Sequence, residues 1–181
     1  MNLHLGCGKR QLSGYVHVDL SEHDHIDYVH DVKTLPMFDA NSVDLIYSSH
    51  TLEYFDRNEV NDVLQEWYRV LQPGGLLRLA VPDFAALCTV YRKSNDLNKV
   101  IGPMYGRWEM PEAVAFHKTI YDFISLKTVL ETNGFSNIEL WDWEKVFVGE
   151  HAGFDDYSQA YYPHMDKENG ILLSLNIEGT K

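Results

Sequence analysis

Leu3-His4-Leu5-Gly6-Cys7-Gly8 stands almost at the start of the chain and decides its fold. The first half reads as a buried strand and the second as a glycine turn. Glycine lacks a Cβ, so such a turn lets backbone approach a ligand at the carboxyl end of a parallel sheet. Tyr15-Val16-His17-Val18-Asp19 follows, a second short apolar strand that ends on a carboxylate. An acid placed there can accept both hydroxyls of a ribose. Strand, glycine turn, strand and acid together make half of a nucleoside pocket.

Outward from that unit, strands and helices alternate. Lys9 to Gly14 is long enough for one helical turn and too short for a full helix. Tyr28 to Asp31 reads as a third strand closing on an acid. Val43 to Ser48, dense in β-branched and aromatic residues, reads as a fourth. Asp56 with Glu59 is a capping pair. Val60, Val63, Leu64, Trp67, Val70 and Leu71 then share one helical face, and Pro73-Gly74-Gly75 stops the helix. Leu76 to Val81 is the continuous apolar run of a strand covered on both faces. A helix over Asp83–Tyr91, one from a Ser125 cap to Asn133, and strands over Ile138–Trp143 and Leu172–Ile177 complete the pattern. This alternation predicts a doubly wound, mostly parallel sheet. Residues 94–118 and 144–170 carry glycines, prolines and aromatics without period and read as lid or substrate elements.

Composition sets bounds. A chain of 181 residues suits one domain, 1–181, with its cofactor half in 1–83. A net charge of −12 and no basic run speak against nucleic acid and anionic membrane as partners. No run approaches the roughly 20 apolar residues of a membrane helix, and no basic start leads an apolar run. Cys7 and Cys88 read as free thiols, which points to a cytoplasmic protein.

The chain resembles the class I S-adenosylmethionine-dependent methyltransferases of the small "type 11" group. The resemblance rests on Leu5-Gly6-Cys7-Gly8, Val18-Asp19, Asp31 with Leu35-Pro36, Ser42 to Tyr47, Leu52-Glu53-Tyr54, and Arg69-Val70-Leu71-Gln72-Pro73-Gly74-Gly75. It is close over residues 3–83 and weaker beyond. It implies an α/β, Rossmann-like sandwich with a seven-stranded sheet whose last strand is antiparallel. It implies S-adenosylmethionine as cofactor. Leu5, Gly6, Cys7 and Gly8 would lie against its methionine part, Asp19 and Leu20 at the ribose, Asp31 and Val32 at the adenine, and Ser49 and His50 near the methionine or the acceptor. Asp155 to Gln159, Tyr162 to Met165 and Ser174 to Asn176 resemble methyltransferases associated with polysaccharide synthesis, which suggests a small-molecule or glycan acceptor.

Two departures shape the expectation. Gly8 and Asp19 are eleven residues apart, where a dinucleotide unit leaves about 20, so the helix after the glycine turn is nearly absent. The N-terminal helix that usually covers the cofactor is also missing. Cover is expected from residues 94–118, from 144–170, or from a second subunit in a homodimer.

Methyl transfer to an alcohol needs alignment and a proton acceptor. Candidates are His50, Asp83, His117, His151 and His164, with His117 and Asp83 expected to be catalytic. The histidines and aspartates of residues 23–31 lack the spacing of a closed metal site, so no metal is expected. A nicotinamide oxidoreductase would need a third turn glycine where Gln11 stands. A methyltransferase-like binding subunit without turnover is the remaining rival.

Overall fold

A computed structural model describes residues 1–110 and 113–181; Pro111, part of the expected lid stretch, lies outside the described residues. Seven strands form the main sheet: β1 (Asn2–Leu5), β2 (Tyr15–Asp19), β3 (Tyr28–Val29), β4 (Val43–Ser49), β5 (Leu71–Pro82), and the later β8 (Ser136–Leu140) and β11 (Ser174–Thr180). Between β5 and β8 come a hairpin of β6 (Trp108–Met110) and β7 (Ala113–Ala115). A second small pair, β9 (Tyr161–Tyr162) and β10 (Ile171–Leu172), precedes β11. The sheet order is β3-β2-β1-β4-β5-β11-β8. The first five strands run parallel, and β11 is antiparallel to both β5 and β8. The order reverses direction between β1 and β4, which opens a crevice at their carboxyl ends.

One sheet face carries the main core. Leu3, Leu5, Val18, Ile46, Leu77, Leu79, Val81 and Ile177 point to it. Helix α1 (Glu59–Val70) lays Val60, Val63, Leu64, Trp67 and Val70 on these strands, and α4 (Phe123–Thr132) adds Leu126 and Leu130. Alternation along each strand sends a different set to the other face. There His4, His17 and Tyr47 are buried beside Ala80 and Asn176.

No helix joins β1 to β2. The residues that cover this second face come instead from α5 (Trp143–Val146) and the stretch after it. Trp141, Trp143, Val146, Phe147 and Phe154 pack on Leu12, Tyr47 and Ala80. Hydrogen bonds lock the cover: Tyr47 Oη donates to Asp156 at 2.5 Å, and Trp141 Nε1 donates to the Leu79 carbonyl at 2.8 Å.

Several boundaries differ from the sequence expectation. The third strand is only Tyr28–Val29, because Asp31 turns the chain by accepting from Lys33 N at 2.9 Å. Helix α1 ends at Val70, before Pro73, and the Pro-Gly-Gly run lies inside β5. Asp56 and Glu59 do exchange capping bonds. The cap of α4 is Asp122, with Ser125 as its reciprocal partner three residues on. Trp143 begins α5 rather than ending a strand. The 94–118 stretch is partly regular: α2 (Phe84–Ser94) runs into it, and α3 (Ile101–Tyr105) and the hairpin follow.

Candidate active site at the carboxyl edge

Strand β1 delivers the glycine turn to the crevice. Gly6 and Gly8 have φ of +66° and +55°, left-handed values that glycine adopts freely. A Cβ on Gly6 would sit 2.1 Å from Thr51 Oγ1, so the residue must be glycine for the chain after β4 to pass. A Cβ on Gly8 would meet nothing within 4 Å, which leaves that side of the turn open. Cys7 is buried, and burial with the nearby Asp19 carboxylate pushes its thiol up to about 12. It is a packing residue here and not a thiolate.

Asp19 ends β2 and is 4% exposed. Its Oδ2 accepts from Gly8 N and its Oδ1 from Ser21 N, both at 2.7 Å. The acid therefore ties the two turns together, and each oxygen keeps a lone pair for a further donor. Leu20 beside it is exposed. Asp31 is half-buried at the next turn. Val32 is buried, and its carbonyl accepts from Trp67 Nε1 at 2.8 Å.

Strand β4 delivers Ser49, His50 and a short 3-10 turn over Leu52–Tyr54. Ser49 Oγ is buried without a partner. His50 has φ +52°, rare for a residue with a Cβ. Its Nε2 lies 3.3 Å from Ser174 Oγ on β11. Glu53 is not among the site residues expected from the sequence, although it sits in one of the stretches carrying the family resemblance. It is fully buried, and neither carboxyl oxygen has a hydrogen-bond partner. Its Oε1 lies 3.3 Å from His50 Nδ1 and 3.7 Å from His117 Nε2. Burial pushes its carboxyl up to about 8 and pulls His50 down to about 3. The only sequence signal for it is an acid among apolar residues just past a strand.

His117 reaches this place from the chain after β7. Its backbone N donates to Tyr105 O, and the next two amides donate to the Glu53 carbonyl. Its Nδ1 is 3.2 Å from Pro103 O, which fixes the hydrogen on Nδ1 and leaves the lone pair on Nε2. Burial lowers its proton affinity and keeps it neutral. The Tyr54 ring stands edge-on to it at 4.8 Å, and Trp108 is edge-on to Tyr54 at 5.9 Å.

The structure thus brings Gly6, Gly8, Asp19, Ser49, His50, Glu53 and His117 to one edge of the sheet. Asp83 is occupied differently. Its carboxyl caps α2 by accepting from Ala85 N at 2.9 Å, and burial raises its proton affinity. His164 is exposed on a loop, and His151 lies on the second sheet face near Tyr15. A cavity of about 530 Å³ lies away from this edge, lined by residues 11–15, 17 and 24–27. Among the described residues, no group of three or more His, Cys, Asp or Glu is placed to hold a metal ion.

The residues fit the expected cofactor. A turn open at Gly8, an amide-anchored acid at the end of β2, and the unpartnered Ser49 Oγ suit a nucleoside joined to an amino acid. Residues 3–79 match the family model described as a methyltransferase domain. No curated protein sequence matches the chain. Solved structures resemble it throughout. An S-adenosylmethionine-dependent methyltransferase of Thermotoga maritima, described as a possible histamine N-methyltransferase, is 18% identical, with 99% of this chain and 81% of that one covered and a TM-score of 0.58. One of Archaeoglobus fulgidus is 16% identical over 99% and 85%, also at 0.58. One of Methanosarcina mazei is 18% identical over 99% and 91%, again at 0.58. Residues 3–79 thus match a methyltransferase-domain family model, and the sheet order is that of the class I, Rossmann-like methyltransferase fold.

Proposed function

We propose that the chain methylates a hydroxyl of a small polar acceptor, such as a sugar of a glycan or a nucleotide-sugar. The observation that carries this reading is His117: a neutral imidazole whose lone pair stays free because Nδ1 is turned to Pro103 O. An amine acceptor needs no such base, whereas an alcohol must lose its proton during transfer. The cofactor, when bound, supplies an electrophilic methyl group on sulfur. Asp19 holds the ribose side, Gly6 and Gly8 admit the amino-acid side, and Ser49 offers its unpaired hydroxyl there. Tyr54, Trp108 and Tyr157 supply aromatic faces for a sugar ring and help exclude water.

Among the described residues no helix is long and apolar enough to cross a membrane. We place the protein in the cytoplasm, where nucleotide-sugars are made. The test is a screen of hydroxylated sugars and nucleotide-sugars against matched amines, with S-adenosylhomocysteine release as the readout. Release with hydroxyl acceptors alone, lost in His117→Ala, supports the reading. Turnover of amines with hydroxyls inert overturns it.

A further inference from the structure

Glu53 is the least conventional group in the molecule. A carboxyl removed from water without hydrogen bonds is costly, and native chains place one only where it has a role or where a neighbour shares its proton. Its surroundings are specific. His50 faces it from the end of β4 and His117 from the chain after β7. Tyr54 neighbours it on its own turn, and the buried Tyr121 hydroxyl, itself unpartnered, feels its charge from the segment before α4. Among the described residues, its ion-pair partners are these two histidines and no lysine or arginine. Because Pro103 O holds the His117 hydrogen on Nδ1, Nε2 presents a lone pair towards Glu53 Oε1. At 3.7 Å the two share no hydrogen bond, so Glu53 acts on the ring by its charge.

We propose that Glu53 is the charge partner of the methyl-transfer site, its carboxylate stabilising the imidazolium that His117 becomes on taking the acceptor hydroxyl's proton. The inference rests on the hydroxyl-transfer reading above. In the step, the acceptor oxygen bonds to the methyl carbon as the carbon–sulfur bond breaks, and that bond's electron pair stays on sulfur. The acceptor proton goes to His117 Nε2, and the imidazolium so formed pairs with the Glu53 carboxylate 3.7 Å away. His117 returns the proton to solvent after product leaves. Glu53 is thus a positioning residue acting through His117, and the enzyme is competent only in the fraction where Glu53 is ionised. A proton affinity raised by burial places that ionisation near working pH, so His117 gains its charge partner as pH rises.

The test has two arms. In the free protein, carbon-13 labelling of glutamate carboxyls is followed by NMR across pH. One carboxyl titrating near pH 8, absent in Glu53→Gln and displaced by half a unit or more in His117→Asn, is expected. An ordinary acidic midpoint for Glu53, or no response to His117→Asn, overturns the proposal. In the second arm, turnover is measured with a hydroxyl acceptor found by the screen. Glu53→Gln is expected to lower kcat about 10- to 100-fold, with KM and cofactor affinity nearly unchanged, and to abolish the rise of rate with pH. Glu53→Asp should restore part of that rise. A Glu53→Gln protein that keeps the wild-type pH profile, or one that folds but loses cofactor binding, also overturns it. If only amines are methylated, the hydroxyl reading fails while the NMR arm still decides whether the charges of the two residues are coupled.

Discussion

The guanidinium of Arg10 lies 4.6 Å over the ring of Tyr157, and the same ring is 5.3 Å from that of His50. Arg10 Nε also donates to Asp155 O at 3.1 Å. The loop after the glycine turn is thereby fastened to a segment that crosses from β1 to β4 at the carboxyl edge. We propose that this segment, drawn from residues 144–170, covers the cofactor site. Tyr157→Ala should weaken S-adenosylmethionine binding about 3- to 10-fold, in keeping with a cation–π contact of about 1 kcal/mol and lost stacking. Tyr157→Phe should retain most of it. Calorimetric titration checks both, and an unchanged affinity in Tyr157→Ala would move the cover elsewhere.

Asp19→Ala removes the acceptor of two part-buried amides and any bond to a ribose. Cofactor affinity should fall by roughly 10- to 100-fold, and stability by about 1–3 kcal/mol, since Gly8 N and Ser21 N lose their partner. Asp19→Asn, which keeps an acceptor oxygen, should recover part of the stability. Titration with S-adenosylmethionine and S-adenosylhomocysteine, beside denaturant melts, separates the two effects. Full affinity in Asp19→Ala would remove the ribose assignment.

Gly6→Ala and Gly8→Ala should differ in kind. Both place a Cβ on left-handed backbone, at about 1–2 kcal/mol. Only at Gly6 does the new atom also strike Thr51. Gly6→Ala should therefore be the less stable of the two, and adding Thr51→Ala should return the steric part while leaving the backbone part. Gly8→Ala should keep more stability and still hinder ligand approach. Equal melting curves for the two single variants would contradict this.

Stability should peak close to pH 6.5, between two opposing trends. His4 is buried with Nδ1 unpartnered, and burial lowers it from 6.5 to about 3. The unfolded chain binds its proton first, so stability is full above 6.5 and falls as pH drops from 6.5 towards 3, by about 1.4 kcal/mol per unit for one group. Glu53 is raised from 4.5 to about 8, so its contribution is full below 4.5 and is lost as pH rises through 8. His50 and His117, also lowered by burial, add to the acid limb. Melting temperatures across pH 4–9 should show the peak, and Glu53→Gln should flatten its alkaline side. A wild-type alkaline limb left intact in that variant would assign the limb to other groups.

Much of the fold is readable in the chain because it depends on local rules. Glycine spacing, strand-end acids, the capping pair of Asp56 and Glu59, and the apolar stripe of α1 each express themselves within a few residues. What stays hidden depends on partners far apart. Glu53 looks like one more acid until residues 103–119 fold back to bury it beside His117. Asp83 looks like an active-edge acid because it follows a core strand, yet the same position suits the cap of α2. The third strand looks longer in sequence than it is because Asp31 resembles a strand-end acid, whereas it belongs to a turn.

The missing helix between β1 and β2 has a consequence for how the chain reaches this state. The second face of strands made from residues 2–82 is closed by side chains from 141–156, and the Tyr47–Asp156 bond spans 109 positions. During synthesis the first half would leave the ribosome with one side bare. His4 and Tyr47 would wait for more than half of the chain before they were shielded, and Ala80 for about a third. Contacts of such separation slow folding, because loop closure must precede the gain in burial. A fragment ending near residue 83 should therefore behave as a partly ordered, sticky intermediate, although it holds the whole glycine turn and its acid.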